Sequence, residues 1–97
     1  MKYIDWNEEK NKLLRSQRDV SFEDIVVSIS EGGLLDILEN KNSERYPNQK
    51  IFVVNIRNYG YLVPFTEDEE KIFLKTIIPS RKATKEYLVK KKGGKSI

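Results

Sequence analysis

An α+β fold follows from three features of this 97-residue sequence. Phe22, Ile25, Val26 and Ile29 fall at i, i+3, i+4 and i+7, the clearest helical stripe in the chain. Residues 51–56 and 61–65 are β-rich runs separated by Arg57-Asn58-Tyr59-Gly60, a hairpin signal with Asn and Gly available for positive φ. Helices come first, then consecutive strands, then one more helix, an order that sets helices against an antiparallel sheet. The length fits one domain with a single modest core, read here as residues 1–92 with 93–97 as a flexible tail.

The elements follow in order. Residues 2–6 read as a short strand. Asn7 is the N-cap of a first helix reaching about Arg18, with Glu8 and Glu9 in the first turn where they suit the helix dipole. Its apolar content is thin, Leu13 and Leu14, so it lies on the surface with Trp6 packed nearby as a core anchor. Asp19-Val20 is the break. Ser21 followed by Asp24 is a capping-box start for the second helix, and Gly32-Gly33 stops it, one glycine supplying a left-handed cap. Residues 34–38 form a strand and 39–49, with Pro47, a loop. Pro64 places its strand at an edge or beside a bulge. Residues 67–70 are a solvated turn and 72–78 the next strand, ended by Pro79. Ser80 then caps a last helix from Arg81 to about Lys90, with Ala83, Tyr87 and Leu88 inward. Three or four strands thus make an antiparallel meander, and few bulky residues remain to bury both of its faces, so one face stays open.

Hydrophobic residues are 38% and charged residues 34% of the chain, a balance that supports folding and not disorder. No run approaches the ~18 apolar residues of a membrane span, and residues 1–10 lack the apolar core of a signal peptide. The expected location is therefore cytoplasmic. Cysteine and histidine are both absent. That excludes disulfides, Ser-His and Cys-His triads, paired-histidine ribonuclease chemistry and most metal sites. No metal or cofactor is implied, and any catalysis falls to Lys, Arg, Glu, Asp, Tyr or Ser.

The formal charge of +3 divides into −3 for residues 1–49 and +6 for residues 50–97. After the acidic cluster Glu67, Asp68, Glu69 and Glu70, the segment 71–97 holds nine basic residues and one acid, Glu86. This is the footprint of a polyanion partner, nucleic acid foremost, although terminal lysine runs also serve simply as solvated tails.

Three segments then resemble a known family. Tyr3-Ile4-Asp5-Trp6-Asn7-Glu8-Glu9-Lys10 is similar to the F-x-W-D-x-x-K opening of BrnT-type toxins. Val20-Ser21-Phe22-Glu23 resembles the V-S-F-E of their second helix, and Ser80-Arg81-Lys82-Ala83-Thr84 the S-A-R-K-A-T of their ending. Gln17-Arg18-Asp19 stands where the family carries Lys-His-Gly. The resemblance implies a RelE-like fold, the toxin half of a bacterial type II toxin–antitoxin pair, and endoribonuclease activity. RNA and a cognate antitoxin, of ribbon-helix-helix or helix-turn-helix type, are the implied partners. A homodimer and a toxin–antitoxin heteromer are both open.

Metal-free RNA cleavage by the 2′-hydroxyl needs a base, an acid and positive charge beside the phosphorus. Arg81 and Lys82, at a predicted helix N-terminus, are placed for the phosphate. Arg81 is the first choice, against an ion pair with an acid such as Glu23; Lys82 is a ligand or a solvated helix lysine. The resemblance transfers an Glu-Arg pair to Glu44 and Arg45, and with Tyr46 these offer a carboxylate, a cation and a stacking ring, or merely an exposed charge pair. Lys10 matches the family's motif lysine; Lys75, alternating with apolar neighbours, and Lys85 are further RNA contacts. The base stays open among Glu44, Glu23, Tyr46 and a lysine of depressed pKa. The alternative is a binding module on the same fold that contacts nucleic acid or protein without cutting.

Overall fold

A computed structural model describes residues 2–39 and 49–89. The chain runs through β1 (Tyr3–Trp6), α1 (Glu8–Arg18), α2 (Phe22–Ser30), β2 (Leu34–Glu39), β3 (Gln49–Ile56), β4 (Tyr59–Glu67), β5 (Lys71–Leu74), β6 (Ile78–Pro79) and α3 (Arg81–Ala83), which continues as a π-helical segment, Thr84–Val89. It is an α+β structure on one sheet of order β1-β5-β4-β3-β2, with β6 beside β4. Strands β2 to β5 form the expected antiparallel meander. The N-terminal strand extends it differently: β1 lies parallel to β5, at the edge of the sheet opposite β2. None of the described helices is long and apolar enough to cross a membrane.

The helix ends follow local chemistry. Asn7 Oδ1 accepts the Lys10 N–H at 2.9 Å, and Asp19 leaves α1 in the left-handed region at φ 54°. Ser21 and Asp24 form a reciprocal capping box, each side chain accepting the other's backbone N–H. Gly32, at φ 90°, supplies the left-handed turn after α2.

Strand alternation assigns the faces. Phe52, Val54 and Ile56 of β3, Val63 and Phe65 of β4 and Leu74 of β5 share one face, and Leu14, Val20, Phe22 and Ile25 from α1, α2 and their junction pack against it. Phe52 and Phe65 stack with centroids 3.9 Å apart, and Trp6 stacks on Phe22 at 5.7 Å. Trp6 is thus an anchor at the core's margin, as expected. Leu13 is exposed, so α1 contributes a single leucine; its other buried residue is Asn11, whose Oδ1 accepts the Phe22 N–H at 2.7 Å and whose Nδ2 donates to Glu23 at 2.8 Å.

The last helix packs on the opposite face. A Cβ on Gly60 would stand 2.9 Å from the Thr84 nitrogen and 3.1 Å from the Ala83 Cβ, so the missing side chain is what lets the helix approach. The Thr84 hydroxyl accepts the Gly60 N–H and donates to the Ser80 carbonyl, both at 2.8 Å. This kind of back-bonding loosens a helix, and the π winding begins at the same residue.

Four expectations are corrected. The β3–β4 turn takes positive φ at Arg57 (51°) and Asn58 (66°), a two-residue turn whose twist matches the strands, so Gly60 is free to serve inside β4. Pro64 sits in a central strand, not at an edge: its carbonyl accepts the Lys75 N–H at 2.8 Å on the flank where β5 has ended and β6 has not begun, so the missing proline donor leaves no ladder bond unmade. The strand expected over residues 72–78 is split, because residues 75–77 are not paired as strand and Ile77 turns into the core. Glu39 and Gln49, read as loop, belong to β2 and β3, and Glu67, read as part of the solvated turn, is the half-buried end of β4. The intervening residues 40–48, and the tail 93–97, lie outside the described residues.

Candidate nucleic-acid interface

β6 and the cap at Ser80 bring the chain from the sheet into the last helix. Ile78 pairs with Leu62 and Pro79 with Tyr61, Ser80 donates its N–H to the Gly60 carbonyl at 2.9 Å, and its Oγ accepts the Ala83 N–H at 3.0 Å. The helix is thereby fixed over β4 and turned so that Ala83 is buried while Arg81, Lys82 and Lys85 are exposed. Among the described residues none of these three cations makes an ion pair or a side-chain hydrogen bond. Lys82 and Lys85 line, with Glu86 and Val89, a shallow groove of about 330 Å³.

The far end of this helix is held by Tyr87, whose hydroxyl donates to Asp36 Oδ2 at 2.6 Å across β3. The bond pushes the phenol up to about 12 and holds the carboxyl below the usual aspartate range, where the Ile37 N–H also supports it. Both shifts oppose proton transfer at neutral pH: the phenol keeps its proton and the carboxylate does not take one. The pair is a strut.

Lys75 is exposed on the connection after β5 and, by alternation from Phe73, belongs to the same side of the sheet as the last helix. The structure thus brings Arg81, Lys82, Lys85 and Lys75 to one side. Lys10 is not among them: it is half-buried on α1, in the layer packed against the opposite face. Glu44, Arg45 and Tyr46 lie outside the described residues. Glu23 does not pair with Arg81. It accepts from Asn11 and, at 3.1 Å, from Arg15, and the Asn11 hydrogen bond keeps its carboxyl below the ordinary glutamate range, which makes it a poorer base.

The sequence reading does not single out Lys71, Phe73 or the Tyr87–Asp36 strut. For the first two the signal is present, since Lys71-Ile72-Phe73-Leu74-Lys75 alternates, sending Leu74 into the core and Lys71, Phe73 and Lys75 to the other face. The strut joins residues 51 positions apart, and no local pattern announces it.

Comparison with protein-family models, curated proteins and solved structures finds no match for this chain. The fold and the charge of the last helix are what define it: an α+β protein whose last helix exposes Arg81, Lys82 and Lys85.

Proposed function

We propose that this chain is a BrnT-like toxin on a RelE-like fold, which binds RNA through its last helix, cleaves it without a metal and is neutralised by a cognate antitoxin. The observation that carries the reading is the exposure of Arg81, Lys82 and Lys85 along one helix, with no intramolecular partner among the described residues. Cations without an intramolecular partner among the described residues give a phosphate backbone charge at no cost in broken ion pairs. The order of strand, two helices, meander and helix is in keeping with the resemblance at both ends of the chain.

In the cleavage step the 2′-hydroxyl loses its proton to a base and attacks the adjacent phosphorus, the bond to the 5′-oxygen breaks, and that oxygen takes a proton. A cyclic phosphate and a free 5′-hydroxyl result. Arg81 stabilises the charge on the pentacoordinate phosphorus, with Arg45 and Lys82 as further cations beside it; Glu44 is one of the candidates for the base.

Induced expression of the wild type, Arg81→Ala and Arg45→Ala tests the reading, together with incubation of purified protein and RNA in chelator. Growth arrest and cyclic-phosphate ends from the wild type, lost in Arg81→Ala, are expected. A folded wild type that is harmless and leaves RNA intact removes the enzyme reading. The second reading, binding without cleavage, is favoured by the Tyr87–Asp36 strut: the phenol keeps its proton, and the carboxylate, already holding that proton in a hydrogen bond, is a weaker base than a free aspartate. RNA retained by the folded protein but never cut identifies it.

A further inference from the structure

We propose that the outer side of β5 is a track for single-stranded RNA, on which Phe73 stacks a base while Lys71 and Lys75 hold the phosphates on either side. This rests on the RNA-binding reading above and names the surface and the form of RNA that it takes.

The strand alternates from Lys71 to Leu74, and the Lys75 N–H bond to the Pro64 carbonyl carries the register one residue further. Ile72 and Leu74 face the core, and Lys71, Phe73 and Lys75 share the side carrying the last helix, whose contacts fall on β4 at Gly60 and on β2 at Asp36. Phe73 is half-buried, so part of its side chain stays accessible on this side. Lys71 Nζ sits over the ring, 5.8 Å from its centroid, and forms an ion pair with Asp5 Oδ2 at 3.6 Å, while Lys75 is exposed. A ring flanked by cations two residues away on each side answers the alternation of base and phosphate in a single strand; a duplex, with its bases already stacked, has no use for the ring.

Direction and limits are also set. Beyond Lys75 the chain passes through β6 into Arg81, Lys82 and Lys85, so the cations of β5 and of the last helix are carried by successive segments on one side of the sheet. At the other end Asp68, Glu69 and Glu70 are exposed in the β4–β5 turn, and the Asp68 carboxylate is fixed by the N–H groups of Glu70 and Lys71. Their charge repels a phosphate backbone and ends the track at Lys71.

Fluorescence anisotropy with a labelled oligouridine and a labelled RNA duplex of equal length tests this. The wild type is expected to prefer the single strand. Phe73→Leu, which keeps an apolar side chain and removes the ring, weakens single-strand binding by about fivefold or more and leaves the duplex unchanged. Lys75→Ala makes the dependence of log affinity on log salt shallower by about 0.7. A folded Phe73→Leu that binds oligouridine as tightly as wild type, or equal affinity for both RNAs, overturns the track. Lys75→Glu, at an exposed position that folding does not depend on, overturns it likewise if oligouridine affinity is unchanged. Wild type that binds neither RNA at low salt removes the RNA-binding reading itself, a result distinct from binding that ignores Phe73.

Discussion

Tyr87 and Asp36, one on the π-helical segment and one on the edge strand β2, meet in a 2.6 Å hydrogen bond across the intervening strand β3. The bond decides the pose of the helix that carries Arg81, Lys82 and Lys85, because it and the Thr84–Gly60 contact fix that helix at two separate points of the sheet. Tyr87→Phe keeps the ring and removes the donor. The melting temperature should fall by roughly 3–6 °C, and the affinity for RNA should fall without a change in the salt dependence, since no cation is lost.

The same pair gives a pH signature. Tyr87 has a folded pKa of about 12, above the usual value of about 10, so its contribution is complete below pH 10 and is lost as pH rises from there through 12. Asp36, Glu23, Glu67 and Asp68 are all lowered, by hydrogen bonds from Tyr87, Asn11, Lys2 and the Lys71 N–H in turn. Their contribution is in place above the unfolded values of about 4 and is lost as pH falls through the folded ones. Urea midpoints against pH should show a plateau with losses at both ends, and Tyr87→Phe should remove the alkaline loss while leaving most of the acid one.

Gly60→Ala should destabilise by about 1–3 kcal/mol in urea denaturation. The reason is steric and not torsional: the added methyl meets backbone atoms of Ala83 and Thr84 at 3.1 and 2.9 Å, and the helix must lift. Loss of the Gly60–Thr84 hydrogen bond in amide exchange would accompany it.

Asn11 is 1% exposed and joins the two helices by accepting from Phe22 and donating to Glu23. Asn11→Ala leaves the Phe22 N–H without its acceptor in a buried place and should cost about 1–3 kcal/mol. Asn11→Asp should cost more, since it sets a second carboxylate against that of Glu23, and its deficit should shrink as pH is lowered.

Both edge strands carry an aspartate whose carboxylate accepts the N–H of the next residue: Asp5 from Trp6 at 2.8 Å on β1, Asp36 from Ile37 at 2.7 Å on β2. An N–H engaged in this way is closed to strand addition by another chain. Asp5→Ala should raise concentration-dependent association, read by light scattering after size exclusion; a variant as monodisperse as the wild type would show that the edge is protected by something else.

How much of this was legible depended on whether the signal was local. Asn7, the Ser21–Asp24 box and the glycine after α2 satisfy backbone groups within four residues, so each could be read from its neighbours, and so could the stripe that buries Phe22 and Ile25. The turn at Arg57-Asn58 was found but its residues were misassigned, because Gly60 looked like turn chemistry when its reason to be glycine is Ala83, 23 positions later. The cations of the last helix were legible as charge. That they have no partner among the described residues, and that Lys10 stands in the other layer, was not.

By itself, then, the sequence determined the α+β class, the helix caps, the meander and the basic final quarter, all properties of neighbouring residues and of periodicity. Tertiary structure alone decided that β1 returns parallel to β5, that Asn11 is buried, that Pro64 is tolerated within a central strand, and that Tyr87 reaches Asp36. Each of these joins groups distant in the chain, and the free energy that selects them comes from contacts formed only once the sheet has brought those groups together.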